Sequence, residues 1–373
     1  MNFDKLTAFL DEQSIDMVPG MDCIVYRDHQ QIYRHLTGFR DRENGIAMNG
    51  DEQYWLFSAT KVFTATAGMQ LIEKGIIRPE DPVSMYLPAF ATMSVNDEGH
   101  IRAPRTEMTL RHLFTMTGGF DYDIERPSIK KCALYTGGKA DTLTMINALA
   151  EEPLCFDPGT HFRYSLCLDV LGAVIEVASG MKLGEYMKKN IFEPLGITHT
   201  GFSGEDLSKF AVQYIYDDAK KKSVPMENTC CYRLSDNFES GGAGLYSTVE
   251  DYILLADALA CGGVAKNGNR ILKSETVDEM RRDQLTPELR SEFMNHTGPS
   301  YSYAMGVRTC VEPEKGTSPK GEFGWDGAAC AYTLMDPSNK LSLYLGMHVR
   351  SFGYGYFTIH HGVKDRLYEA LKG

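Results

Sequence analysis

Residues 55–72 read Trp-Leu-Phe-Ser-Ala-Thr-Lys-Val-Phe-Thr-Ala-Thr-Ala-Gly-Met-Gln-Leu-Ile, a run in which Lys61 is the only side chain charged at neutral pH. A segment apolar nearly all round predicts a helix buried at the centre of the molecule, and Gly75 is placed to close it. Upstream, Phe3, Leu6, Phe9 and Leu10 recur at helical spacing among charged residues, which predicts an amphipathic helix over 3–14. Met21–Arg27 and Gln31–Phe39 are rich in Ile, Val and Tyr about a short turn at 28–30, and predict an antiparallel hairpin.

From Pro79 the pattern changes to short helices between turns. Thr109 caps a helix that stops at Gly118-Gly119; further helices are predicted over Leu168–Ala178, Leu183–Ile191 and, capped by Thr248, Val249–Leu259. Residues 203–240 are polar and irregular and predict a solvated loop. Strand patterns return at Tyr303–Val311, Gly321–Trp325, Ala328–Met335 and Leu341–Val349, before an amphipathic helix over 361–371. Early and late strands separated by a helical block predict an α+β fold with an antiparallel sheet flanked by terminal helices. The expected boundaries are a discontinuous sheet domain (1–80 and 249–373) and a mostly helical domain (81–248), with the Ser58 helix and the active site at the seam, where ligands commonly bind.

Composition narrows the function. The chain has 373 residues, 43% of them hydrophobic, and a net charge of −12. That charge disfavours nucleic acid and anionic membrane as partners, because both reward a basic face. No segment is long and apolar enough to span a bilayer, and the start lacks a basic region followed by an apolar run, so a cytoplasmic location is expected. Nine cysteines without C-x-x-C spacing read as reduced thiols. No motif calls for a cofactor or a metal: H-E-x-x-H is missing, and His348, His360 and His361 read as structural.

The buried lysine brings chemistry. Ser58 and Lys61 are three apart, so on a helix their side chains stand on one face within reach. Burial lowers a lysine pKa, and the positive end of the helix dipole acts in the same direction. A serine hydroxyl becomes a useful nucleophile when such a base can take its proton. Taken alone, the pair reads more readily as a helix N-cap and a lysine reaching the surface, because S-x-x-K recurs by chance in chains of this length.

Further motifs follow in order: Leu110-Arg111-His112-Leu113 with Thr117-Gly118-Gly119, Pro158-Gly159-Thr160 with Tyr164-Ser165, Asp169-x-Leu171-Gly172-x-x-Ile175-Glu176, Ser240-Gly241-Gly242, and Gly324-Trp325-Asp326-Gly327. With Ser58-x-x-Lys61 this set resembles the serine β-lactamase and penicillin-binding-protein superfamily over nearly the whole chain, and is most similar to class C β-lactamases and family VIII carboxylesterases. The resemblance implies an acyl-enzyme mechanism in which Ser58 attacks and Lys61 with Tyr164 moves protons. It implies an oxyanion hole from the backbone N–H groups of Ser58 and Ala328, and substrate contacts from Tyr122, Asp123, Leu166, Trp325, Asp326 and Gly327. A phenolate at Tyr164 would need a nearby lysine to stabilise it.

Two departures carry substrate information. Class C enzymes have Asn where this chain has Leu166, and Lys-Thr-Gly where it has Trp325-Asp326-Gly327. Loss of that lysine, with Asp326 beside the site, disfavours an anionic β-lactam and points to small carboxylic esters; Asp326 itself points to a cationic or amine-bearing substrate. The expected partner is therefore a small-molecule ester or amide. β-Lactamase, D-amino-acid peptidase and acyltransferase activities are the alternatives, ahead of a non-catalytic binding protein. An α/β-hydrolase is disfavoured by the missing G-x-S-x-G elbow.

Overall fold

The computed structural model describes residues 1–372 apart from 15, 16, 205, 315 and 316. Its main sheet has eight strands: β1 (Gly20–Arg27), β2 (Gln30–Asp41), β3 (Ile46–Ala47), β4 (Tyr301–Tyr303), β5 (Arg308–Cys310), β6 (Phe323–Gly324), β7 (Tyr332–Asp336) and β8 (Leu341–Met347). They run in the order β4-β5-β6-β7-β8-β1-β2-β3, every neighbouring pair antiparallel, so N- and C-terminal strands share one sheet through β8 and β1. The β1–β2 turn consists of Asp28 and His29, both with positive φ (47° and 65°). That is the backbone a two-residue hairpin with native twist requires.

Six helices position the site: α1 (Asp4–Gln13), α2 (Thr60–Glu73), α3 (Cys167–Ser179), α4 (Val249–Ala260), α5 (Pro287–Thr297) and α6 (His360–Lys372). The period of two along the central strands sorts their side chains. Cys23, Val25, Leu343 and Leu345 join Leu6 and Leu10 of α1 and Val363 and Leu367 of α6 in one core. Ile24 and Tyr344 face the other core, where Tyr344 stacks on Tyr252 of α4 at 4.0 Å. In α2 every residue from Thr60 to Leu71 is buried, as its apolar sequence predicts, and Gly75 (φ 69°) follows its C-cap.

Three expectations change. The strand expected over Tyr303–Val311 is a hairpin, β4 and β5, because the chain turns at Gly306 (φ 82°), whose absent Cβ would lie 2.7 Å from that of Ala65 on α2. The last long strand ends at Met347; Val349–Arg350 leaves it to pair in parallel with Tyr214–Asp217, which pairs in turn with Lys222–Pro225. The polar 203–240 segment therefore contributes two strands. Finally, Ser58 sits in a 3-10 turn, Phe57–Ala59, that leads into α2.

Candidate active site

The approach to Ser58 is fixed on both sides. The Leu56 N–H donates to the Leu245 carbonyl (2.9 Å), and Phe57 then adopts φ 47°. A bulky side chain in that region costs roughly 1–3 kcal/mol and persists only where its surroundings impose it. Here the fully buried Phe57 ring meets Tyr232 edge-on (centroids 6.1 Å), and the Arg350 guanidinium lies 5.0 Å from its centroid.

Lys61 is wholly buried. Its Nζ lies 2.8 Å from the Gly242 carbonyl, 3.0 Å from the Tyr122 hydroxyl and 3.4 Å from Ser58 Oγ. A neutral amine has two N–H donors and one lone pair, so Gly242 and Tyr122 can take the donors and leave the lone pair for the serine hydroxyl. Burial pushes the lysine pKa down to about 7, against the opposing charge of Asp169.

Asp169, on α3, is also buried. Its Oδ1 accepts from Ser240 Oγ (2.5 Å) and from the Gly242 N–H (3.1 Å), so the single residue Gly242 links it to the lysine through its N–H and its carbonyl. The Ser240-Gly241-Gly242 motif acquires a physical reason: a Cβ at Gly242 would stand 2.3 Å from Asp169 Oδ2. That oxygen has no hydrogen-bond partner among the described residues. Burial pushes the Asp169 carboxyl up, and the Lys61 charge pulls it back.

The Tyr164 hydroxyl accepts a hydrogen bond from the Trp325 indole N–H (3.1 Å), and its ring stacks on Tyr122 at 5.3 Å. Lys61 Nζ lies over the Tyr164 ring, 4.6 Å from its centroid. Burial raises the Tyr164 pKa strongly, while hydrogen bonds to Ser58 and Trp325 act the other way. The phenol therefore keeps its proton at neutral pH, in contrast to the phenolate that a neighbouring lysine would stabilise.

These groups open on a cavity of about 550 Å³. Ser58, Tyr122, Tyr164, Trp325, Gly327 and Ala328 line it, whereas two residues expected there do not. Leu166 precedes α3 and turns its side chain into the core, 4% exposed. Asp123 is exposed and accepts from the Glu125 N–H at 2.9 Å. The Ala328 N–H has no acceptor among the described residues. Gly327 is pressed against the chain leading to Ser58, so that a Cβ there would lie 2.5 Å from the Leu56 carbonyl oxygen.

Asp326 also lines the cavity, but its Oδ1 accepts from Arg308 Nη1 at 2.7 Å, and the guanidinium is 95% buried. A free anionic charge, as expected from the sequence, is therefore replaced by an ion pair. Sequence reasoning missed Tyr232, Arg308 and His360 as cavity residues, since no local motif marks them. Among the described residues, one group has ligand atoms close enough together to hold a metal ion, namely Asp28, His29 and Cys261 (within 4.8 Å), and none of these lines the cavity. No helix among the described residues is long and apolar enough to cross a membrane.

Comparison with known proteins agrees with this architecture. EstCE1, described as a hydrolase with promiscuous acyltransferase activity, superposes with a TM-score of 0.81 over 98% of each chain at 24% identity. Simvastatin synthase (LovD) from Aspergillus terreus gives 0.80 over 98% of this chain and 97% of that one at 23% identity. In sequence, esterase EstB of Burkholderia gladioli is 28% identical over 353 residues, 87% of this chain and 85% of EstB. Monacolin J acid methylbutanoyltransferase of Aspergillus terreus is 26% identical over 305 residues, 78% of this chain and 73% of the transferase. The beta-lactamase family model matches residues 6–352, and the chain belongs to that family of serine-dependent hydrolases and transferases.

Proposed function

We propose that the protein hydrolyses small carboxylic esters through an acyl-enzyme on Ser58. The observation that carries this reading is the buried Lys61 amine, with its pKa near 7, set between Ser58 Oγ and two acceptors that orient its lone pair. Lys61 takes the Ser58 proton as Oγ bonds to the ester carbonyl carbon, and the oxyanion is held by the N–H groups of Ser58 and Ala328. Collapse breaks the bond to the alcohol oxygen, which receives its proton from Tyr164; the Lys61 ammonium returns a proton to Tyr164. Water, activated by the same lysine, then cleaves the acyl-enzyme and regenerates Ser58.

The cavity supports an ester in preference to an anionic β-lactam. Arg308 is the one Arg or Lys among the described lining residues, and Asp326 already pairs with it. Aromatic walls from Phe162, Phe293, Trp325 and Phe357 suit an apolar group. Acyl transfer to an alcohol is the second reading, favoured by the names of the transferase and of EstCE1 among the similar proteins. Peptidase chemistry would begin with the same acyl-enzyme.

The test is the initial rate on p-nitrophenyl butyrate beside a chromogenic cephalosporin, with Ser58→Ala as blank. Ester turnover that Ser58→Ala abolishes, with little cephalosporin opening, is expected. Cephalosporin opening in excess of ester turnover overturns the ester reading. Added alcohols that increase product release while diverting the acyl group identify transfer.

A further inference from the structure

The end of the cavity bounded by α6 holds two acceptors that face one another. His360, 3% exposed, lines the cavity beside Asp326. Its Nε2 lies 2.9 Å from the Cys330 carbonyl oxygen, which can only accept, so the ring proton resides on Nε2. Burial pushes the His360 pKa below its ordinary value and keeps the ring neutral. Nδ1 is consequently a lone pair, 3.8 Å from Asp326 Oδ2. The other Asp326 oxygen is occupied by Arg308, whose second terminal nitrogen donates to the Thr333 carbonyl at 2.7 Å. Two acceptors 3.8 Å apart cannot bond each other, yet one donor atom can stand about 2.8–3.0 Å from both.

The surrounding charges leave this position without a net field of one sign. Arg308 and Lys364, both nearly buried, are matched by Asp326 and the fully buried Glu322; Glu322 Oε1 lies 3.6 Å from Arg308, and its Oε2 accepts from the Tyr301 hydroxyl. A donor group, rather than charge alone, is what the position lacks. Both acceptors face the cavity, Asp326 with 27% of its side chain exposed, and a ligand donor placed there makes a hydrogen bond that a methoxy or methyl group cannot.

We infer that Asp326 Oδ2 and His360 Nδ1 form a subsite for a hydrogen-bond donor, a hydroxyl or a protonated amine, carried by the substrate at the end remote from its scissile carbonyl. The inference rests on the proposed attack by Ser58 and names the substrate class of that same cavity: an ester with an apolar or aromatic body and a donor at its far end. It replaces recognition by a free Asp326 charge with recognition by a bridged pair.

The experiment is competitive inhibition of ester hydrolysis by phenylboronic acids, which bond to a nucleophilic serine. Their tails, in a graded series of lengths, end in hydroxyl, ammonium, methoxy or methyl groups. At the tail length that fits, the hydroxyl and ammonium compounds are expected to bind about tenfold more tightly than the methoxy and methyl ones. In Asp326→Asn the amide can still accept from Arg308 and present its N–H to His360 Nδ1, which fills the subsite from within, so the preference falls to about one. His360→Phe keeps a ring against Tyr332, 4.6 Å away in the present structure, and lowers the preference by removing Nδ1. The readout is a ratio within one protein, so a variant that binds the methyl-tailed compound is its own folding control. Equal affinity of all four tails in the unmodified protein overturns the inference, as does a preference for ammonium with none for hydroxyl, or a preference that survives Asp326→Asn. Failure of every boronate to inhibit would instead refute the role of Ser58.

Discussion

Replacement of Asp169 by Asn is predicted to shift activity toward acid pH. In the proposed reaction Lys61 must be neutral to accept the Ser58 proton, so kcat/KM should rise through the lysine pKa, about 7 in the folded protein. The buried Asp169 charge is what opposes burial and keeps that value from falling further. An opposite charge at such range is worth roughly one to three pKa units, so its removal moves the midpoint to about 6 or below. Asn is nearly isosteric: its carbonyl oxygen still accepts from Ser240 and Gly242, and its nitrogen replaces an oxygen that lacks a partner. At pH 5.5 the neutral fraction of Lys61 rises from roughly 3% to roughly 25% for a one-unit shift, about an eightfold gain. A weaker base gives back a few-fold on the plateau. The assay is kcat/KM for p-nitrophenyl butyrate from pH 4.5 to 9 for both proteins. A midpoint that stays in place or moves up refutes the electrostatic account of Lys61.

Three other outcomes follow from the same geometry. Because burial holds the Tyr164 phenol well above its ordinary pKa, the rate should remain level beyond pH of about 10; a falling limb there in a protein still folded by circular dichroism removes Tyr164 as the proton donor. Trp325→Phe keeps the ring but loses the N–H at 3.1 Å from Tyr164, so kcat should drop about five- to thirtyfold with KM for a small ester nearly unchanged, and an effect confined to KM would make Trp325 a wall only. The lysine pKa is lower folded (about 7) than its ordinary value of 10.5, so the unfolded chain binds more protons between these values, and Lys61 costs the fold more stability as pH falls toward 7. The stability difference between the unmodified protein and Lys61→Met in urea titrations should therefore grow more favourable to Lys61 between pH 7 and 9, by up to a few kcal/mol; a difference independent of pH contradicts the depressed pKa.

The parts of the fold that were legible are those written locally. The apolar run of α2, the Ile, Val and Tyr content of the β1–β2 hairpin and the caps at Thr109 and Thr248 are each written in one continuous stretch of chain. What escaped depends on meetings across the chain. Gly306 turns one apparent strand into a hairpin because α2 passes against it, and Val349 leaves the main sheet to pair with a segment that reads as loop. Tyr232, Arg308 and His360 come from three separate elements and converge only after folding. Leu166 is expected on the wall because it stands where class C enzymes have Asn, but a match of position does not set the direction of an apolar side chain, which here points into the core. Asp326 failed differently: its position is beside the site, but its charge is not free, and nothing near it in sequence names Arg308 as partner.

Trp325 has a consequence beyond shape. A lysine ammonium at this place would lower the pKa of Tyr164 by attraction to the phenolate, and that of Lys61 by repulsion, making both groups competent bases at neutral pH. An indole N–H supplies a hydrogen bond to the Tyr164 oxygen without a full charge, so from this place the phenol is lowered by that bond alone and Lys61 feels no repulsion. Burial then dominates at both groups, raising the phenol and lowering the amine until only Lys61 titrates near neutrality. In the proposed reaction the proton that leaves Ser58 then has one acceptor, Lys61, and the proton that reaches the leaving alcohol has one donor, Tyr164. For this reason the acid limb should report a single ionisation in Asp169→Asn, where the coupled carboxyl is gone, and a second proton in that limb would show that Tyr164 shares the role of base.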